Sequence, residues 1–151
     1  MNLETKIMDQ IKEAMKSKNT IALEALRAMK SEILLLKTSG GSGEVSETQE
    51  TALLQKLIKQ RKEAAEQFTA NHRTELAEKE LAQAEVIQEF LPQQLSIEEL
   101  EIKIKEIIVQ TGAESAKDMG KVMGTASSTL AGKADGKTIA ETVKRLLGEL
   151  N

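Results

Sequence analysis

The chain contains no cysteine, no tryptophan and no tyrosine, and only one proline and one histidine. Without cysteine there is no disulfide, no thiol nucleophile and no cysteine-ligated zinc site. Phe68 and Phe90 are the only aromatic residues. Single-stranded nucleic acids are read on aromatic stacking platforms, so base-specific recognition is not expected of this chain. Sandwiches and barrels lean on aromatic and β-branched residues, and those folds are disfavoured by the same scarcity. No apolar run approaches the roughly 20 residues of a membrane span, and the opening MNLETKIMDQ carries charge throughout rather than the apolar segment of a secretory signal. The expectation is a cytoplasmic protein with no membrane partner.

What is present is helix-forming. Of 151 residues, 40% are hydrophobic and 30% charged, and many of the charges are Glu and Lys, which favour helices. The predicted class is all-α. Leu3, Ile7, Ile11, Ala14 and Met15 fall on one face of a first helix, and Ala22, Leu26, Met29, Ile33 and Leu36 on one face of a second, with Asn19 or Thr20 at its start. TSGGSG, residues 38–43, reads as a flexible linker. Ser46 with Gln49 forms a capping box for a third helix, whose stripe is Leu53, Leu54, Leu57, Ile58, Ala65 and Phe68. A fourth follows a break at residues 71–74, with Leu76, Leu81, Ala84, Ile87 and Leu91 inside, and Pro92 stops it.

Ser96 and Glu99 make a second capping box, with Leu95 and Leu100 placed as a hydrophobic staple around it. Leu100, Ile104, Ile107 and Ile108 form the inner face of that helix and Gly112 its cap. A sixth helix is expected to start between Ser115 and Asp118 and to end at Gly132. Asp135 caps the last, with Ile139, Val143, Leu146, Leu147 and Leu150 inside. The chain is therefore divided into an N-terminal helical domain, 1–95, and a small C-terminal three-helix domain, 96–151.

The residues assemble no catalytic constellation. His72 lies beside Arg73 at a helix break with no orienting partner in the pattern, and the many glutamates read as a solvated face. TSGGSG lacks the Lys-Ser/Thr ending of a phosphate-binding loop. No catalytic residue, metal ligand or cofactor is assigned. Lys56, Lys59, Arg61 and Lys62 form a basic run on the third helix, read as a solvated face. The net charge of −3 argues against wholesale coating of nucleic acid, and DNA is not an expected partner.

The stretch Ser115–Leu147 differs from the rest of the chain. It carries Lys117, Lys121, Lys133, Lys137, Lys144 and Arg145 against Asp118, Asp135 and Glu141. Gly120 and Gly124 interrupt a helix, each at about 1 kcal/mol relative to alanine, and leave a smooth face. Close packing against a neighbouring helix is the expected reason for Gly124. Gly132 permits a tight turn before the last helix, whose free amides favour anions, although the Asp135 carboxylate already serves that position. The RNA-binding candidates are Lys117, Gly120, Lys121, Gly132, Lys133 and Lys137, acting by shape and phosphate contact on a folded RNA.

LIKQRKEAAEQF (57–68), EFLPQQLS (89–96), KDMGKVMG (117–124) and GKADGKTIAETVKRLL (132–147) together resemble the GatB/YqeY family across nearly the whole chain. The resemblance implies an all-helical protein whose smaller domain is similar to the C-terminal tail of the B subunit of the glutamine-dependent aspartyl/glutamyl-tRNA amidotransferase, where that tail contacts tRNA away from the catalytic site. It marks Gly120, Lys121, Met123, Gly132, Lys133, Ala134 and Asp135. Phe90 stands where the family often has tyrosine, and TSGGSG is richer in glycine than the family's connection. The expectation that follows is a tRNA-binding accessory protein. The alternative is an adaptor docking on an amidotransferase or synthetase complex through the glycine face of Gly120 and Gly124 and the cluster of Met119, Val122 and Met123. Carbon–nitrogen ligase activity with glutamine as amide donor is implied of the larger subunit rather than of these residues.

Overall fold

A computed structural model describes residues 2–40 and 43–150. The described residues form seven α-helices and one 3₁₀ turn, without strands, and the contacts separate them into two units, Met1–Leu91 and Pro92–Asn151.

The first unit holds α1 (Leu3–Ser17), α2 (Thr20–Ser39), α3 (Glu47–Ala70) and α4 (Thr74–Gln88). Each of the first three starts on a side chain that takes up an amide its own helix leaves unpaired. Asn2 accepts from the Thr5 amide at 2.9 Å and Asn19 from that of Ala22 at 3.1 Å. Ser46 accepts from the Gln49 amide at 3.1 Å while Gln49 Oε1 accepts from the Ser46 amide at 2.9 Å. α1 stops at Lys18, in the left-handed region at φ 58°. His72 adopts φ 60° in the turn after α3 and is exposed there, its amide on the Thr69 carbonyl at 3.1 Å.

The core of this unit gathers Ile7, Ile11 and Ala14 from α1, Ala25, Leu26, Met29 and Ile33 from α2, Leu53, Leu54, Leu57 and Ile58 from α3, and Ala84 and Ile87 from α4. Met15 lies outside it, exposed on α1. The inner face of α4 also differs from its expected stripe: Leu81 is 45% exposed, while Gln83 is 6% exposed and faces inward. Hydrogen bonds turn Gln83 in. Its Nε2 donates to Glu24 of α2 at 2.8 Å and its Oε1 accepts from Arg61 Nε of α3 at 3.1 Å. Lys79 pairs with Glu24 at 3.1 Å. Arg61, counted in the basic run, is thus a strut between helices. TSGGSG is shorter as a connection than its composition implies: Thr38 and Ser39 complete α2 and Gly40 caps it. Gly41 and Ser42 of the expected flexible linker lie outside the described residues.

The second unit holds α5 (Ile97–Thr111), a 3₁₀ turn (Ala116–Asp118), α6 (Met119–Thr129) and α7 (Gly136–Gly148). Its core is Leu100, Ile104, Ile107, Ile108, Val122, Ala126, Leu130, Ala134, Ile139, Val143, Leu146 and Leu147; Leu150 is exposed. The Ser96–Glu99 box forms as the sequence predicts, at 3.1 and 3.2 Å, and Gly112 ends α5 at φ 70°. α6 ends at Thr129 instead of Gly132, because Leu130 leaves helical geometry to enter the core. The chain then turns through Gly132 at φ 78°, and the Lys133 amide closes on the Leu130 carbonyl at 2.9 Å. Leu95 belongs to this unit. Its amide donates to the Lys133 carbonyl at 2.9 Å, and Gln94 Nε2 donates to the Gly132 carbonyl, so the segment before α5 braces the turn before α7.

Candidate nucleic-acid interface

The turn between α6 and α7 is set by buried residues. Leu130 and Ala134 are buried, Gly132 is buried at positive φ, and the side chains between them point outward by default. Lys133 and Lys137 are exposed. Asp135 caps α7 as expected: one carboxylate oxygen accepts from the Lys137 amide at 3.1 Å and the other from the Thr138 hydroxyl at 2.6 Å. An anion at this end has to bind beside Asp135, on the lysine side chains, rather than on the helix axis.

At the other end of α6, Lys117 lies on the 3₁₀ turn and Lys121 in the first helical turn, both exposed. Asp118 Oδ2 accepts from the amides of Glu114 at 2.8 Å and Ser115 at 3.3 Å. Those two amides hold its carboxyl below the usual carboxylate range, with the Lys121 charge adding to the effect. The carboxylate therefore stays ionised beside Lys121. Lys117, Lys121, Lys133 and Lys137 take part in no ion pair among the described residues. Arg145, by contrast, is bound by Glu101 and by Glu149, the latter at 3.3 Å, which removes it from the free positive charge of this region.

The four lysines form two pairs. From Lys121 to the end of α6 at Thr129 the helix rises about 12 Å, so one pair stands at each end. The exposed face between them is unusually plain. A Cβ at Gly120, Gly124 or Gly136 would meet nothing within 4 Å, and this corrects the packing role expected of Gly124. Close approach of a neighbouring helix is not what keeps it a glycine. Apart from Lys121, the exposed positions of α6 are Gly120, Gly124, Ser127, Ser128 and Thr129, so no side chain there is larger than threonine. Ser127 and Ser128 were not singled out in the sequence. The signal was the run of small residues, GTASS, between the two lysine-bearing motifs.

Of Met119, Val122 and Met123, expected in an adaptor surface, only Val122 is withdrawn from solvent, while Met119 and Met123 are half-buried. Val122 is fully buried, and both methionines pack against the second core. Gln94, which fixes the Gly132 carbonyl, lies 38 residues from it in sequence, and no local pattern announces such a contact. No group of three or more metal-ligating side chains is found among the described residues. Likewise, no helix of the described residues is long and apolar enough to cross a membrane.

A family model described as "Yqey-like protein" matches residues 4–147. No curated protein matches the chain.

Proposed function

Matched from residue 4 to residue 147, the chain belongs to the Yqey-like family, and from that premise we propose that it is a tRNA-binding accessory protein related to glutamine-dependent tRNA amidation. The RNA-binding part is the second unit. The observation that carries this reading is the outer face of α6, bare of any side chain beyond threonine size except Lys121 and bounded at both ends by exposed lysines that take part in no ion pair among the described residues.

Such a surface lets a nucleic-acid backbone lie close to the helix, while Lys117 and Lys121 at one end and Lys133 and Lys137 at the other meet phosphates. Gly120 keeps the helix start open and Gly132 sets the turn that presents Lys133. Ser127 and Ser128 supply hydroxyls along the way. The second unit has no aromatic residue, so bases are not stacked, and recognition rests on backbone shape. The family resemblance of KDMGKVMG and GKADGK to the tRNA-contacting tail of the amidotransferase B subunit supports the same partner.

Filter binding with total tRNA at low salt tests the proposal. Lys121→Glu combined with Lys133→Glu is expected to weaken binding more than tenfold. Every phosphate that the variant leaves without its lysine should flatten the slope of log affinity against log salt by about one. Wild-type protein that holds no tRNA at low salt, or a double variant that binds as well as wild type, sinks it.

A further inference from the structure

The C-terminal half of α2 contains four consecutive aliphatic residues, Ile33 to Leu36. A helix distributes four neighbours around its whole circumference, so they cannot all face one core. Ile33 is buried and Leu36 half-buried, while Leu34 and Leu35 are each 59% exposed. Ser31 and Thr38, also exposed, lie between the two leucines around the helix, one turn before and one turn after. The Thr38 hydroxyl is already placed on the Leu34 and Leu35 carbonyls at 3.1 and 3.2 Å, which leaves little polar demand on this face.

A groove runs beside each leucine. Leu34, with Ile7, Met8 and Ile33, walls a cleft of about 110 Å³ between α1 and α2. Leu35, with Leu36, Ala52 and Leu53, walls a wider one of about 340 Å³ between α2 and α3. On α2 itself the two flanks of this face carry opposite charges. Lys30 borders the first groove and Glu32 the second, and neither takes part in an ion pair among the described residues. Lys37, also on the first groove, is held by Glu4, and Lys56 stands across the second groove on α3.

We propose that this face of α2 is a self-association surface on which a second copy of the chain packs α2 against α2, leucine into groove. The charge pattern selects a second copy over an unrelated partner. A twofold axis along α2 lays the α1 side of each copy over the α3 side of the other. It therefore brings each Lys30 to the Glu32 of the second copy, and the two positions are offset by only about 3 Å along the helix. A helix face with Lys30 on one flank and Glu32 on the other, neither in an ion pair among the described residues, can complement itself, which an isologous interface requires. The leucine ridges meet the opposite grooves in the same operation. The patch is small, so the dimer is weak and its population depends on concentration.

Sedimentation equilibrium of the full chain over a range of concentrations is the test. Wild type is expected to move from monomer toward dimer as concentration rises. Leu34→Glu with Leu35→Glu should stay monomeric with unchanged far-ultraviolet circular dichroism. The charge variants guard against a misfolded control: Lys30→Glu alone and Glu32→Lys alone each raise the dimer dissociation constant several-fold, whereas the two together restore it toward wild type. A wild type that is monomeric at every concentration overturns the proposal, as does a dimer indifferent to both the leucine pair and the charge pair.

Discussion

Gly124 and Gly112 are both glycines of the second unit, yet they answer to different physics. Gly112 sits at φ 70°, a conformation that costs an L residue roughly 1–2 kcal/mol, and its role is to end α5. Gly124 lies inside α6, where the helix would prefer a side chain and open space would receive it. Gly124→Ala is therefore expected to raise the unfolding free energy by roughly 0.5–1 kcal/mol, and Gly112→Ala to lower it by about 1 kcal/mol. Urea unfolding of the two variants measures both. A destabilised Gly124→Ala would mean that the face is covered after all. A residue kept small against the preference of its own helix, with nothing inside the fold to explain it, directs attention to what approaches from outside.

At the scale of elements, the starts of helices were legible because they follow from contacts three residues apart. Ser46 with Gln49 and Ser96 with Glu99 form the reciprocal bonds their spacing implies. Ser96→Ala should cost about 1 kcal/mol and speed amide exchange in the first turn of α5, read by hydrogen-exchange mass spectrometry. Unchanged exchange there would show that the Leu95 and Gln94 bonds to the α6–α7 turn hold the helix start without the cap. Helix interiors were less legible where polar bonds override the stripe. Leu81 had the right period for the core of the first unit, but Gln83 occupies that face because its partners Glu24 and Arg61 come from 59 and 22 residues away. The end of α6 was misplaced for a related reason: Leu130 leaves the helix to fill a core assembled from α5 and α7, and no local signal marks it. In the candidate interface, the exposure of the lysines could be read from sequence. Their separation into two pairs could not, since it depends on where α6 stops.

At the scale of the whole molecule, the chain builds two hydrophobic cores, one from residues up to Ile87 and one from Leu100 onward. The second unit has about 60 residues, a size whose buried surface leaves only a narrow margin of stability. Leu147 is fully buried in it. Leu147→Ala, at about 2–5 kcal/mol for a buried leucine, is expected to remove most of that margin. Amides of α5 and α7 should then exchange rapidly while those of α3 and α4 stay protected, as native-state hydrogen exchange would show. Simultaneous loss of protection in both sets would mean that the two cores melt as one.

The scarcity of aromatic rings has an optical consequence. Phe68 and Phe90 both belong to the first unit, and neither tryptophan nor tyrosine is present anywhere. Any near-ultraviolet dichroism of the protein therefore reports the first unit alone, and the second is dark at those wavelengths. The chain as a whole absorbs so weakly there that nucleic acid carried through purification would dominate the spectrum of the preparation. The ratio of absorbance to protein mass then becomes a direct gauge of bound RNA, with no label attached.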